Sequence, residues 1–168
     1  MHLTTLHALY VEQLKDLYGA AHQVMRALPK MAKLAAQPRL RTAFNDQNHE
    51  AQVHIDRLEK MFVRLGEGPK GSPCHAIEGI IAEGRDLSGE HAQPTVMDVA
   101  LIAASQRMGH YLIAGLGSAL TLARGLGQRN AAALLQEMLE VGVAADLRMS
   151  DISEAMIETD AKVPSGSL

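Results

Sequence analysis

Between Leu40 and Leu65, seam residues recur at alternating steps of four and three: Leu40, Phe44, Gln47, Ala51, His54, Leu58, Met61 and Leu65. That period keeps one face of a long helix against partner helices. Both ends of the seam are large and apolar. Its middle holds Gln47 and His54, with Glu50 on the adjoining edge. Burying such groups costs about 1–3 kcal/mol each unless something pairs with them. In a helix bundle the partners are polar groups on facing helices or a metal ion.

The rest of the chain supplies those facing helices. A first helix is expected from near Leu3, with Leu6, Tyr10, Leu14, Leu17, Ala21, Val24 and Leu28 inward and Pro29 kinking or ending it. A helical Lys30–Ala36 segment then leads to Pro38, where the seam helix begins. That helix closes before the turn sequence Gly66-Glu67-Gly68-Pro69-Lys70-Gly71. Ser72 reads as an N-cap with Pro73 at the first helical position of a short segment to about Leu87, carrying Ile77, Ile80 and Ile81. This segment suits a helical crossover lying against the bundle.

After a loop over Ser88–Pro94, Thr95 and Asp98 have the spacing of a capping box. The third long helix follows, with Val99, Ile102, Gln106, Gly109 or His110, Ile113, Leu116 and Leu120 inward, until Gly125 and Gly127 end it. Asn130 is placed to cap a fourth, running to about Asp160 through Leu134, Met138, Val141, Ala145, Met149, Ile152 and Met156. Two antiparallel hairpins joined by a long connection make an all-α, ferritin-like four-helix bundle with a short crossover between its second and third long helices. A single domain is expected over residues 1–162, with Val163–Leu168 as a flexible tail.

Composition agrees. Aromatic content is 3%, so the core must be aliphatic, with Met and Ala, a palette that favours helices. The net charge of −3 offers no electrostatic case for nucleic acid or an anionic membrane surface. The single cysteine, Cys74, excludes an intrachain disulfide framework and suits a reducing compartment. The chain begins without a basic, then apolar, leader, and no apolar run reaches the roughly 18 residues of a membrane span. A cytoplasmic location is expected.

Di-iron bundles take a Glu from each of two helices and Glu-x-x-His from each of the other two. This chain has no Glu-x-x-His. It offers Glu50 and His54 at i, i+4 on one face, Gln106 and His110 at the same spacing, and Asp146 in the fourth helix. Asp46 and His49 sit further from the seam, and the first helix offers almost nothing at the matching height: Ala20 and Ala21, then His22. Four arrangements are open. These are a metal-free cluster of Glu50, His54 and His110 with Asp146 or water, a mononuclear or distorted metal site, an ordinary di-iron site, and a helix rotation that leaves some of the groups in solvent. The glycines at 109, 115 and 117 each cost about 0.8–1 kcal/mol against Ala inside a helix, and a close neighbouring helix is expected at Gly115 and Gly117. The methionines of the fourth helix read as adaptable core. Cys74 reads as structural, and Tyr10, Tyr18 and Tyr111 as amphipathic packing residues, with Tyr18 and Tyr111 as candidate neighbours of the polar layer.

Several blocks carry a resemblance over about residues 4–155: Gln13-Leu14-Lys15-Asp16-Leu17-Tyr18, Ala27-Leu28-Pro29-Lys30-Met31-Ala32, Arg57-Leu58-Glu59-Lys60-Met61-Phe62, Gly79-Ile80-Ile81-Ala82-Glu83-Gly84, and His110-Tyr111-Leu112-Ile113-Ala114-Gly115. In these the chain resembles the YciF-like branch of the ferritin-like superfamily. The resemblance implies a four-helix bundle, commonly dimeric, associated with bacterial stress responses and of poorly defined activity. It also implies Glu where this chain has Ala21, Gly109 and Gly142. Glu50 and Asp146 stand at positions the family fills similarly. His54 replaces a usual Gln, and Gln47 a common His.

With three carboxylates gone, two adjacent divalent ions would be poorly neutralised. The leading expectation is a non-catalytic, stress-associated homodimer with a degenerate di-metal centre, no cofactor, no nucleic-acid or membrane partner, and room for an unidentified stress-related protein partner. One alternative is a shifted site for a single iron, manganese or zinc ion on Glu50, His54, His110 and Asp146. The other is a small molecule in the space near Ala21, Gly109 and Gly142.

Overall fold

A computed structural model describes residues 4–87 and 93–161. The helices are α1 (Leu6–Leu34), α2 (Pro38–Leu65), α3 (His75–Leu87), α4 (Pro94–Gly125) and α5 (Arg129–Ala161). Short turns make hairpins of α1 with α2 and of α4 with α5. Across the bundle α1 packs on α4 and α2 on α5, while α3 lies against α4 and α1.

The core falls into two apolar clusters. One joins Leu14, Leu17, Leu58, Phe62, Leu116 and Leu135 near the start of α1 and the end of α2. The other joins Leu28, Leu40, Phe44, Ile77, Ile102 and Ile152 near the α1–α2 turn. Because α4 enters at the second cluster and leaves at the first, α2 and α4 run in the same direction. That direction requires a long connection, and α3 provides it. This is the ferritin-like arrangement expected from the hairpins and the long link.

Several local expectations are corrected. The first helix starts at Leu6 rather than near Leu3, because the Thr5 hydroxyl accepts the Ala8 N–H at 3.0 Å. Leu6 itself is 63% exposed and stands outside the seam. Pro29 neither ends the helix nor limits it: α1 continues to Leu34. Proline removes one backbone donor, but Leu28, Met31 and Ala32 are buried on either side of it and hold the helix in place. At the far end of α2, Gly66 takes φ 69°, the left-handed conformation of a helix stop.

The short helix starts at His75, not at Pro73. Cys74 is its cap, accepting the Glu78 N–H at 3.0 Å. Thr95 and Asp98 form no capping box, and α4 has no side-chain cap. Asp98, 1% exposed, faces the α1–α2 turn and accepts the N–H groups of Ala36 and Gln37, each at 2.8 Å. Asn130 lies inside α5 rather than before it. Leu135 is the fully buried residue of its turn, where Leu134 was expected. The expected loop up to Ala92 and the tail Val163–Leu168 lie outside the described residues.

Candidate functional site

Between the two apolar clusters lies a polar layer. Ala21 of α1, Gln47, Glu50, Ala51 and His54 of α2, Ser105, Gln106 and Gly109 of α4, and Gly142 and Asp146 of α5 line a small cavity there. Its volume is about 70 Å³, room for about two water molecules. A Cβ added at Gly109 would meet nothing within 4 Å, whereas at Gly142 it would come within 3.3 Å of Ile113. The space opened at Gly142 has therefore been partly taken by a neighbouring side chain. Gly115 is held by close packing, since its Cβ would lie 2.9 Å from Leu17. Gly117 has no such neighbour, which corrects that expectation.

The candidate donors do not form one cluster. Arg148 donates to Glu50 at 2.7 Å. Asp146 is engaged by His110 at 3.2 Å and by the Gln106 amide at 3.1 Å, and Gln106 also donates to Ser150 at 3.0 Å. Ser105 donates to Gln47 at 3.0 Å. The His110 side chain is 63% exposed and clasps Asp146 from outside the cavity. Asp46 and His49 are exposed, as their offset from the seam implied.

His54 is the outlier. It is 9% exposed, and its Nε2 has no hydrogen-bond partner. Burial, reinforced by the Arg57 charge, lowers its pKa from 6.5 to about 4. The ring is therefore neutral at pH 7. Of the arrangements left open, a single hydrogen-bonded cluster does not form: His110 pairs with Asp146, Glu50 turns to Arg148, and His54 Nε2 has no partner.

Glu50 and Asp146 are the carboxylates on the cavity. Two divalent ions need more negative donors than this pair, both members of which are already engaged. Among the described residues, no group of three or more His, Cys, Asp or Glu could hold a metal ion. The donor set does not fit a two-ion centre.

A second polar network, at the α1–α3–α4 junction, was not legible as a unit. Gln23 is buried on α1 and grips Cys74 twice. The Cys74 N–H donates to Gln23 Oε1 at 2.8 Å, and Gln23 Nε2 donates back to the Cys74 carbonyl at 3.3 Å. The Cys74 thiol donates to the Tyr111 oxygen at 3.1 Å, and Tyr111 donates to Asp16 at 2.8 Å. Burial, then the bonds to Cys74 and Asp16, push the Tyr111 pKa up. Tyr18 donates to Glu59 at 2.8 Å, so neither tyrosine serves the cavity. The available signal was Gln23, a polar residue at helical spacing between Ala20 and Ala27.

Residues 5–162 match a family described as a domain of unknown function, DUF892. The chain belongs to this family. Among its relatives is YciF of Escherichia coli K12, 35% identical over 154 residues, which cover 91% of this chain and 93% of that protein. The crystal structure of the E. coli stress protein YciF aligns with a TM-score of 0.88 at 34% identity, over 93% of this chain and 99% of that one. YcfI from Rhodopseudomonas palustris aligns at 0.84 and 35% identity, over 88% and 94%. Dps from Thermosynechococcus elongatus, 18% identical with a TM-score of 0.68 over 89% and 92%, shares the ferritin-like fold. No helix among the described residues of this DUF892 chain is long and apolar enough to cross a membrane.

Proposed function

We propose that this protein is a non-catalytic, stress-associated ferritin-like bundle, a cytoplasmic homodimer whose di-metal layer has degenerated into a small polar cavity. One observation carries the reading: both carboxylates on the cavity are committed to protein partners, Glu50 to Arg148 and Asp146 to His110 and Gln106. Ala21, Gly109 and Gly142 add no donor. The stress association rests on the likeness to YciF. The paired exposure of Val143 and Leu147, one turn apart on α5, supports burial of that face against a second copy.

The test is metal per chain by plasma mass spectrometry, on untagged protein challenged anaerobically with iron, manganese and zinc. Substoichiometric binding, with no ferroxidase or peroxidase turnover, is expected. Robust turnover, or two ions per chain, overturns the reading. Light scattering should give the mass of two 18.1 kDa chains, and a monomer would remove the dimer from the proposal.

A second reading is favoured by the unpartnered Nε2 of His54. A neutral imidazole is a ready ligand for a single iron, manganese or zinc ion, which would have to draw Glu50 away from Arg148. One ion per chain, lost in both Glu50→Ala and His54→Ala, would establish that reading. A small molecule in the cavity could be no larger than its 70 Å³ allows.

A further inference from the structure

An apolar recess with a cationic rim lies beside α3, where α1, α3 and α4 meet. It encloses about 210 Å³. Ala27, Met31, Leu101, Ala104 and Met108 are buried and form its floor, while Leu34 is exposed at its edge. Arg26 and Lys30, one turn apart on α1, line the recess and are exposed to solvent. Neither makes an ion pair with a described residue. Arg85 of α3 lines the recess too, and among the described residues no carboxylate does.

An apolar floor under a rim of one charge sign selects for an amphiphile of the opposite sign. A neutral apolar molecule would leave the cations unused, and a small inorganic anion would leave the floor bare. Size narrows the class further. A cavity of about 150 Å³ lined by apolar side chains holds a benzene ring of six carbons, so by proportion 210 Å³ holds about eight. We propose that this recess binds a free, single-chain carboxylate of medium length, its tail on Met31 and Met108 and its carboxylate at Arg26 and Lys30. Charge-assisted hydrogen bonds to the headgroup set the sign preference, and the exposed rim makes it sensitive to salt. The recess shares the Met108 side chain with the central cavity but none of its polar groups, and the proposal stands whether or not that layer takes a metal.

The methionines make the test direct. Met31 and Met108 line this recess, Met108 and Met149 line the central cavity, and Met138 belongs to the other apolar cluster. With methyl-labelled methionine, octanoate titrated at low salt should shift Met31 and Met108 saturably and leave Met149 and Met138 in place. Octanol and octyltrimethylammonium should bind more weakly. The double variant R26Q/K30Q changes only exposed side chains and should fold. It should weaken octanoate about tenfold, the loss of charge-assisted bonds, while changing octanol binding less than about twofold. Movement of Met149 without Met31 would put the ligand in the central cavity and overturn the proposal. So would octanol binding as tightly as octanoate, unchanged octanoate affinity in R26Q/K30Q, or no saturable shift at millimolar octanoate.

Discussion

Two polar clusters are buried in this bundle, and they are built to different standards. At the α1–α3–α4 junction, Gln23 satisfies both backbone groups of Cys74, and the thiol passes to Tyr111 and on to Asp16. In the mid-bundle layer, the carboxylates are pulled toward the edges by Arg148 and His110, a void remains, and His54 Nε2 is unpaired. A fully connected network fixes one arrangement and penalises any break, whereas a partly satisfied one leaves slack. The first cluster docks the crossover. The second keeps a void and an unpaired nitrogen, and substitutions there should be tolerated or even stabilising.

The sharpest break in this contrast is Gln23→Leu. It should strand the buried N–H of Cys74 at about 1–3 kcal/mol, while the carbonyl keeps the Glu78 N–H. For a chain of this size that amounts to a fall in Tm of roughly 2–12 °C, measurable by circular dichroism. A change under about 2 °C would mean the crossover is docked by something else.

Next comes pH. Unfolded His54 takes a proton near pH 6.5, but in the fold it does so only near pH 4. Below pH 6.5 the unfolded chain therefore holds more protons, and stability is lost as pH falls, by about 3 kcal/mol on reaching pH 4. His54→Leu removes that component, so its stability advantage over the parent in urea unfolding should widen by about that amount between pH 7 and pH 4. A constant gap would show that His54 is not buried as a neutral ring.

The smallest effect pairs two helical glycines. A Cβ at Gly19 would collide with the Ser72 carbonyl, so Gly19→Ala should lose about 1–3 kcal/mol. Gly109 faces open space, and Gly109→Ala should gain about 0.8–1 kcal/mol of helix propensity. Equal signs in thermal unfolding would erase the difference between the two regions.

Much of the fold was legible because apolar periodicity reports which helix face is buried. The 40–65 seam emerged in register, from Leu40 and Phe44 through Ala51 and His54 to Met61. Helix ends were less legible, because tertiary hydrogen bonds move them. Cys74 caps its helix where Gln23 can reach it, and Asp98 abandons a local capping box for donors on another hairpin. At the site, the sequence located the layer but not its pairings. Periodicity places Glu50, His54 and Asp146 at one height, yet the choice of Arg148 for Glu50 depends on how α5 is rotated, which its mixed faces do not encode strongly. Gln23 stood in plain view as a polar seam residue, but its partner was backbone, and backbone carries no residue signature.

The reach of Asp98 has a consequence for how the chain is made. Its carboxylate holds two amides of the first hairpin's turn from 61 and 62 residues further along. At ribosomal speeds of about 5–20 residues per second, that turn waits roughly 3–12 s for its acceptor, with Ala36 and Gln37 bonded to water meanwhile. Their amide protons should exchange freely in the nascent first hairpin and fall silent only when α4 arrives, so they mark the moment at which the two halves of the bundle join.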